Sequence, residues 1–217
     1  MDEALAAYER LLERFGPQHW WPAETRFGVI VGALLMQQTA WRNVEAAIRN
    51  LKDAGLLSPE AIARASVAEL RRHVRVAGLY RAKPRRLKRF CERLMEFGGD
   101  LDAFFRRDPA AVREDLLARE GVGPETADSM LLYASETPTF VVDAYTVRIA
   151  KRLGWIDTDR YDAVKGWFEA RLPRDVAVYR EYHALLVAHG KAICRPRPRC
   201  GECPLNDRCA YYRTTRP

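Results

Sequence analysis

The stretch CRPRPRCGECPLNDRC, from Cys194 to Cys209, gathers four of the chain's five cysteines into sixteen residues. Their spacing, C-x5-C-x2-C-x5-C, suits thiolates that share a soft metal centre. Structural zinc sites usually join two C-x2-C knuckles across a longer gap, whereas this segment has one knuckle closely flanked on both sides. A compact loop around a [4Fe–4S] cube accounts better for that pattern, with Cys194, Cys200, Cys203 and Cys209 as ligands. Zinc and idle thiols stand as the alternatives. Ligation would supply folding energy to a tail poor in apolar residues. The same loop displays Arg195, Arg197 and Arg199, with Pro196 and Pro198 restricting the backbone between them. They form either a stiff platform for phosphates or a solvated basic tail. The fifth cysteine, Cys91, falls on an amphipathic helical pattern and reads as a small core residue.

A second constellation is EGVGPETADSMLLY, Glu120 to Tyr133. Gly121 and Gly123, with Val122 between them, permit a tight turn with exposed amides, because glycine tolerates backbone geometry that side chains block. Pro124 suits the first position of a helix, where its missing N–H costs little. A turn that feeds a helix N-terminus is a phosphate site able to grip a DNA backbone without reading sequence. Alone, such a turn is a weak signal. Twenty residues on, in TPTFVVDAYTVRIAKRLGW, Asp143 stands where an extended run ends and a helix begins. An N-cap aspartate there needs no chemistry. The same geometry keeps its carboxylate ionised at neutral pH. It could then stabilise a cationic sugar in a transition state and orient a water toward it.

These residues need a scaffold, and the pattern predicts a helical one. Candidate helices cover 2–15, 26–38, 41–54, 59–64, 67–75, 83–96, 101–106, 109–118, 124–135, 144–153, 159–171 and 176–190, with Gly and Pro breakers between them. The run TFVV could be extended, but no second strand answers it, and an all-α protein follows. No run approaches the roughly eighteen apolar residues of a membrane span. The charged, amphipathic MDEALAAYERLLERFG does not read as a secretion signal. Thirty-six Lys and Arg against 29 Asp and Glu give a net charge of +7. That bias favours an anionic partner, nucleic acid or membrane surface, and no continuous basic helix with insertable aromatics supports the membrane. Clustered cysteines point to a reducing, cytoplasmic setting.

In this order, the glycine hairpin, the aspartate and the cysteine loop resemble the endonuclease III family of helix-hairpin-helix DNA glycosylases over essentially the whole chain. The match is carried by LLMQQTAW (Leu34 to Trp41), AGLYRAK (Ala77 to Lys83), GVGPETA (Gly121 to Ala127), VVDAYTVR (Val141 to Arg148), HGKAIC (His189 to Cys194) and the final cysteines. The resemblance implies a central helical barrel over 23–136 and a second helical domain of 1–22 plus 137–217 that carries the cluster. It implies a monomer that binds double-stranded DNA in the cleft between them and flips out a damaged base. It gives Asp143 the catalytic role and makes Gln38 the residue that fills the gap left by the base. Leu79 or Tyr80 becomes the companion wedge on the opposite strand. The run YRAKPRRLKR, Tyr80 to Arg89, reads as a second phosphate-contacting edge or as an ordinary solvated basic face.

Departures from the family pattern narrow the chemistry. Members that also cut the strand carry a lysine just inside the hairpin helix, where this chain has Glu125. A carboxylate cannot form the Schiff base that strand cleavage requires, so a monofunctional glycosylase is expected, with water as nucleophile. Lys191 could stand in, but no motif points to it. Adenine-removing relatives use a glutamate one turn before the glutamine pair, where this chain has Ala33. The first cysteine interval is one residue shorter than the family's usual six. QHWWPAETRFG, together with Trp41, resembles the 3-methyladenine glycosylase III branch, many members of which lack the cysteines. N3-alkylated adenine is a cation and a good leaving group, and the faces of Trp20, Trp21 and Trp41 could hold it by about one or two kcal/mol each. Closing the helical core is the plain alternative for these tryptophans. The expected activity is removal of alkylated purines such as 3-methyladenine, with Glu125 bordering the base pocket. Alternatives are a thymine or uracil mismatch glycosylase, which would need hydrogen bonds to O2 or O4, and a non-catalytic module that binds distorted duplexes.

Overall fold

The computed structural model describes residues 2–215. All regular structure among the described residues is helical. The chain forms two compact units, residues 21–137 and residues 1–20 with 138–217.

In the unit of residues 21–137, the helix Arg26–Leu35 is buried at every position from Phe27 to Leu35. A helix apolar on all sides belongs at a centre. Trp41–Asp53, Lys83–Met95 and Pro124–Ser129 with its continuation Met130–Ala134 pack against it. Start signals are local. Thr25 Oγ1 accepts from Gly28 N at 3.0 Å, Ser58 Oγ from Ala61 N at 3.2 Å and Asp108 Oδ2 from Ala111 N at 3.0 Å. Pro59 and Pro109 follow the latter two caps at the first helical position. The first of these helices is shorter than the expected 26–38. It ends at Leu35 because the chain turns through Met36 and Gln37 into a left-handed Gln38, φ +52°. The expected single helix 124–135 is likewise two pieces, an α-helix to Ser129 and a wider π-turn over Met130–Ala134. The turn is closed by Ser135 N donating to Met130 O at 3.2 Å.

Two ion clusters brace this unit. Asp128, fully buried, receives Arg113 Nε at 2.8 Å and Nη2 at 3.2 Å. That pair ties Pro109–Leu117 to Pro124–Ser129 across the Gly121–Gly123 turn. Asp115 is met by Arg93, Arg107 and Arg119 at 2.7, 3.0 and 2.8 Å. Burial pushes its carboxyl pKa up, but the arginines outweigh that and hold it below the usual range.

The second unit is built on Val176–Ala192, which packs against Glu3–Phe15 and Ala144–Leu153. Its core is aromatic. Phe140 stacks on Phe168 with centroids 4.4 Å apart, and Tyr179 and Tyr182 meet Phe140 edge-on. The extended approach to Asp143 is pinned at its start by Phe140 N donating to Glu169 Oε1 at 2.8 Å. The tail gains a helix, Ala210–Thr215, that the sequence pattern does not announce.

Candidate functional site

Asp143 caps Ala144–Leu153 from an extended backbone. Its Oδ1 accepts from Thr146 N at 2.7 Å and from Thr146 Oγ1 at 2.9 Å. Oδ2 lies 3.8 Å from Nε2 of His183, and the Asp143 side chain is 12 % exposed. Burial alone would raise its pKa. The His183 imidazole and the two Thr146 donors outweigh burial and hold the carboxyl below its ordinary value. The arrangement is an ionised acid in a largely dry setting, one oxygen committed to the helix and the other directed toward His183. His183, on Val176–Ala192, carries no motif that sequence reasoning could have used. Its ring also meets Trp20 edge-on at 5.6 Å. Trp20 therefore belongs beside the acid's histidine.

Trp21 and Trp41 do come together, edge to face at 5.6 Å, and Tyr133 joins Trp21 at 5.2 Å. Trp21 and Trp41 are half-buried, so the group combines packing with accessible ring surface. Gly32 lies under the Trp21 ring, and a Cβ there would come within 3.1 Å of Nε1. Tyr133 was read only as part of a buried helix.

The hairpin turn departs in part from expectation. Gly121 has φ +76°, and Gly123 is exposed with open space at its Cβ position. Val122, however, is buried, and its amide donates to Arg119 O at 3.1 Å. It is therefore not among the amides offered to a phosphate, because folding the turn consumes it. No side chain caps the following helix, and Glu125 is exposed in its first turn.

Gln38, Leu79 and Tyr80 are all exposed, the latter two at 41 and 44 %. Leu79, like Gln38, has positive φ, at +42°. The basic run from Tyr80 to Arg89 is not uniformly an outer edge. Lys83 is 1 % exposed because positions 83, 87, 90 and 94 form the helix's buried stripe, and half-buried Arg86 donates to Gln37 Oε1 at 2.6 Å.

The cysteine loop is held by the helix that Asp143 caps. Arg148 donates to Cys194 O at 2.9 Å and Gly190 O at 3.0 Å, a cation at the C-terminus of Val176–Ala192. Arg152, one turn on, donates to Arg195 O at 2.6 Å, Pro196 O at 3.0 Å and Cys194 Sγ at 3.3 Å. Leu205 N donates to Cys203 Sγ at 3.4 Å. Burial, opposed by the Leu205 amide and assisted by the other three sulfurs, pushes the Cys203 thiol up to about 11. All four cysteines are free of disulfides. Among the described residues no three His, Cys, Asp or Glu groups converge closely enough for a single ion. Four thiols free of disulfides on one short loop are the donor set that a [4Fe–4S] cluster takes. Arg195, Arg197 and Arg199 are exposed.

The helix–turn–helix around Gly121–Gly123, the capping acid and the cysteine loop define a family that sequence comparison confirms. The chain belongs to the HhH-GPD superfamily of base excision DNA repair proteins, whose profile matches residues 31–174. Residues 197–209 match the iron–sulfur binding domain of endonuclease III, and the chain carries a [4Fe–4S] binding motif. A Methanocaldococcus jannaschii protein with the provisional name DNA repair glycosylase is 45 % identical over 205 residues, 93 % of either chain. The H. pylori 3-methyladenine DNA glycosylase bound to 1,N6-ethenoadenine superposes with a TM-score of 0.77 at 26 % identity, covering 88 % of this chain and 98 % of that one. A trapped covalent intermediate of endonuclease III with DNA gives 0.83 at 23 % identity, over 97 and 95 % of the two chains. The described helices include none long and apolar enough to cross a membrane.

Proposed function

We propose that this DNA glycosylase is monofunctional and removes N-alkylated purines, 3-methyladenine first among them, from double-stranded DNA. The observation that carries the reading is the Asp143 carboxylate, ionised although mostly buried. As the glycosidic bond breaks, its electron pair leaves with the base, and a base that is already cationic departs neutral. Positive charge then builds on the sugar, and Asp143 stabilises it while orienting the water whose oxygen bonds to C1′. The water's proton passes to the carboxylate. The product is an abasic site in an unbroken strand.

The absence of lyase chemistry rests on Glu125, which occupies the position where strand-cutting relatives place an amine. Lys83 does not replace that amine, because its Nζ is engaged by two backbone carbonyls. The alkylpurine preference rests on Trp21, Trp41 and Tyr133, whose faces favour a cationic ring. The H. pylori relative's substrate agrees with it. Gln38 and Leu79 or Tyr80 serve as the wedges, and the hairpin glycines with Arg195, Arg197 and Arg199 meet phosphates. Cys194, Cys200, Cys203 and Cys209 would hold the [4Fe–4S] cluster, whose ligation would supply folding energy to the loop that carries these arginines.

Duplexes bearing 3-methyladenine, or uracil or thymine opposite guanine, test the reading directly. Release of the methylated base is expected, with intact strands and no borohydride-trapped adduct, and Asp143→Asn abolishes release while retaining DNA binding. Release of thymine or uracil alone, or undiminished excision by Asp143→Asn, overturns it.

A further inference from the structure

Three loops of the unit spanning 21–137 are joined by one partly buried polar network. Lys83 Nζ donates to Gln37 O at 2.7 Å and to Ala77 O at 2.6 Å. Gln37 Nε2 donates to Gly121 O at 2.6 Å and reaches Thr126 Oγ1 at 3.4 Å. Gln37 Oε1 in turn accepts from Arg86 Nη1 at 2.6 Å. Arg86 lies so close over Gly121 that a Cβ at that position would run into its guanidinium. The loop after Leu35, the loop before Lys83 and the hairpin turn therefore share Gln37 and Lys83 as common fasteners.

The placement of the charges is not what stability alone would select. Lys83 opens a helix that no side chain caps, with Arg85 and Arg86 in the same first turn. Cations belong at the opposite end of a helix dipole. Burial, reinforced by the Arg86 charge, lowers the Lys83 pKa to about 8. Gln38 and Leu79, each the next residue or the next but one from a fastened carbonyl, hold positive φ without being glycine. Such conformations persist only where the surroundings over-determine them.

We propose that Lys83 and Gln37 are positioning residues that hold Gln38 and Leu79 in their strained, outward conformations, in register with the Gly121–Gly123 turn, before DNA arrives. The wedge is thereby preformed, and the ordering of two loops is not left to the moment of insertion. This rests on the reading of Gln38 and Leu79 as wedges.

The test uses full-length protein and two duplexes of equal length. One is intact, and the other carries a tetrahydrofuran abasic analogue opposite 2-aminopurine, whose fluorescence reports side-chain insertion into the gap. Lys83→Met keeps the stem and removes the donors, and Gln37→Leu removes the side-chain bonds at a half-buried position. Each is expected to lower the preference for the abasic duplex over the intact one about tenfold or more, to lose the fluorescence change, and to leave intact-duplex affinity within about threefold. Gln38→Ala and Leu79→Ala should lose the same preference. If they do and both fastener variants keep it, the positioning role is wrong. If Gln38→Ala and Leu79→Ala keep it as well, the wedge reading itself has failed. Should Lys83→Met unfold, Gln37→Leu decides.

Discussion

Asp143 and Thr146 are tied twice, through the threonine amide at 2.7 Å and its hydroxyl at 2.9 Å, both on the same carboxylate oxygen. The amide bond is an ordinary helix cap. The hydroxyl bond is an addition that stabilises the anion against burial. Thr146→Val keeps the cap and deletes the hydroxyl donor. A hydrogen bond to a charged acceptor lost in this way should raise the Asp143 pKa. On the proposed mechanism activity requires the anion and falls as pH drops through that pKa, so the acid limb of the kcat profile should move upward. An unmoved limb would show that the hydroxyl does not act on the acid.

His183 approaches the other oxygen. Replacing it with Leu removes the strongest influence opposing burial, so His183→Leu should shift the acid limb further than Thr146→Val, with base release falling more steeply below neutral pH. Duplex affinity measured alongside should change little.

Glu125→Lys installs an amine at the hairpin position of strand-cutting relatives, on an exposed first turn where a cation opposes the helix dipole and should cost up to about 1 kcal/mol. A borohydride-trapped adduct and some nicked product are expected from this variant and not from the wild type. Trapping by the wild-type chain would end the monofunctional reading.

Asp115→Ala leaves three arginines facing one another. Its partners are a quarter to a third exposed, so the cost falls below the range for breaking a fully buried pair, at about 2 kcal/mol, or roughly 5 °C in Tm. Because the Asp115 pKa is depressed from 3.8 on folding, its contribution is present above that value and is lost as pH falls through the lower, folded pKa. Thermal scans from pH 7 to 3 should show the wild-type advantage over the variant shrinking at the acid end.

Arg152→Met cuts the donors to Arg195 O, Pro196 O and Cys194 Sγ together. Chelator challenge followed by visible absorbance should show the variant surrendering iron several times faster than the wild type, by the usual effect of lost outer contacts on metal retention.

What the sequence made legible was whatever local chemistry enforces. Asp143 could be placed because an apolar extended run, a capping acid and a periodic helix follow one another, and Ala144–Leu153 has the bounds expected for it. Endings set by distant partners were hidden. Arg26–Leu35 stops early where Lys83, 46 residues away, takes the Gln37 carbonyl. Lys83 itself was submerged in a basic run, although its i, i+4, i+7 spacing with Leu87 and Phe90 marks the inward face. His183 and Tyr133 lie in helices whose apolar pattern is satisfied without them, so no local signal distinguishes them. The division of the tryptophans, Trp20 beside His183 and Trp21 beside Trp41, is a property of tertiary structure that adjacent identical letters cannot express.

Ala144–Leu153 begins with the acid and, at Arg148 and Arg152, grips the metal-binding loop. Reagent and prosthetic group thus hang from a single ten-residue girder. Any displacement of the loop is therefore applied to the same short helix whose first turn fixes the carboxylate.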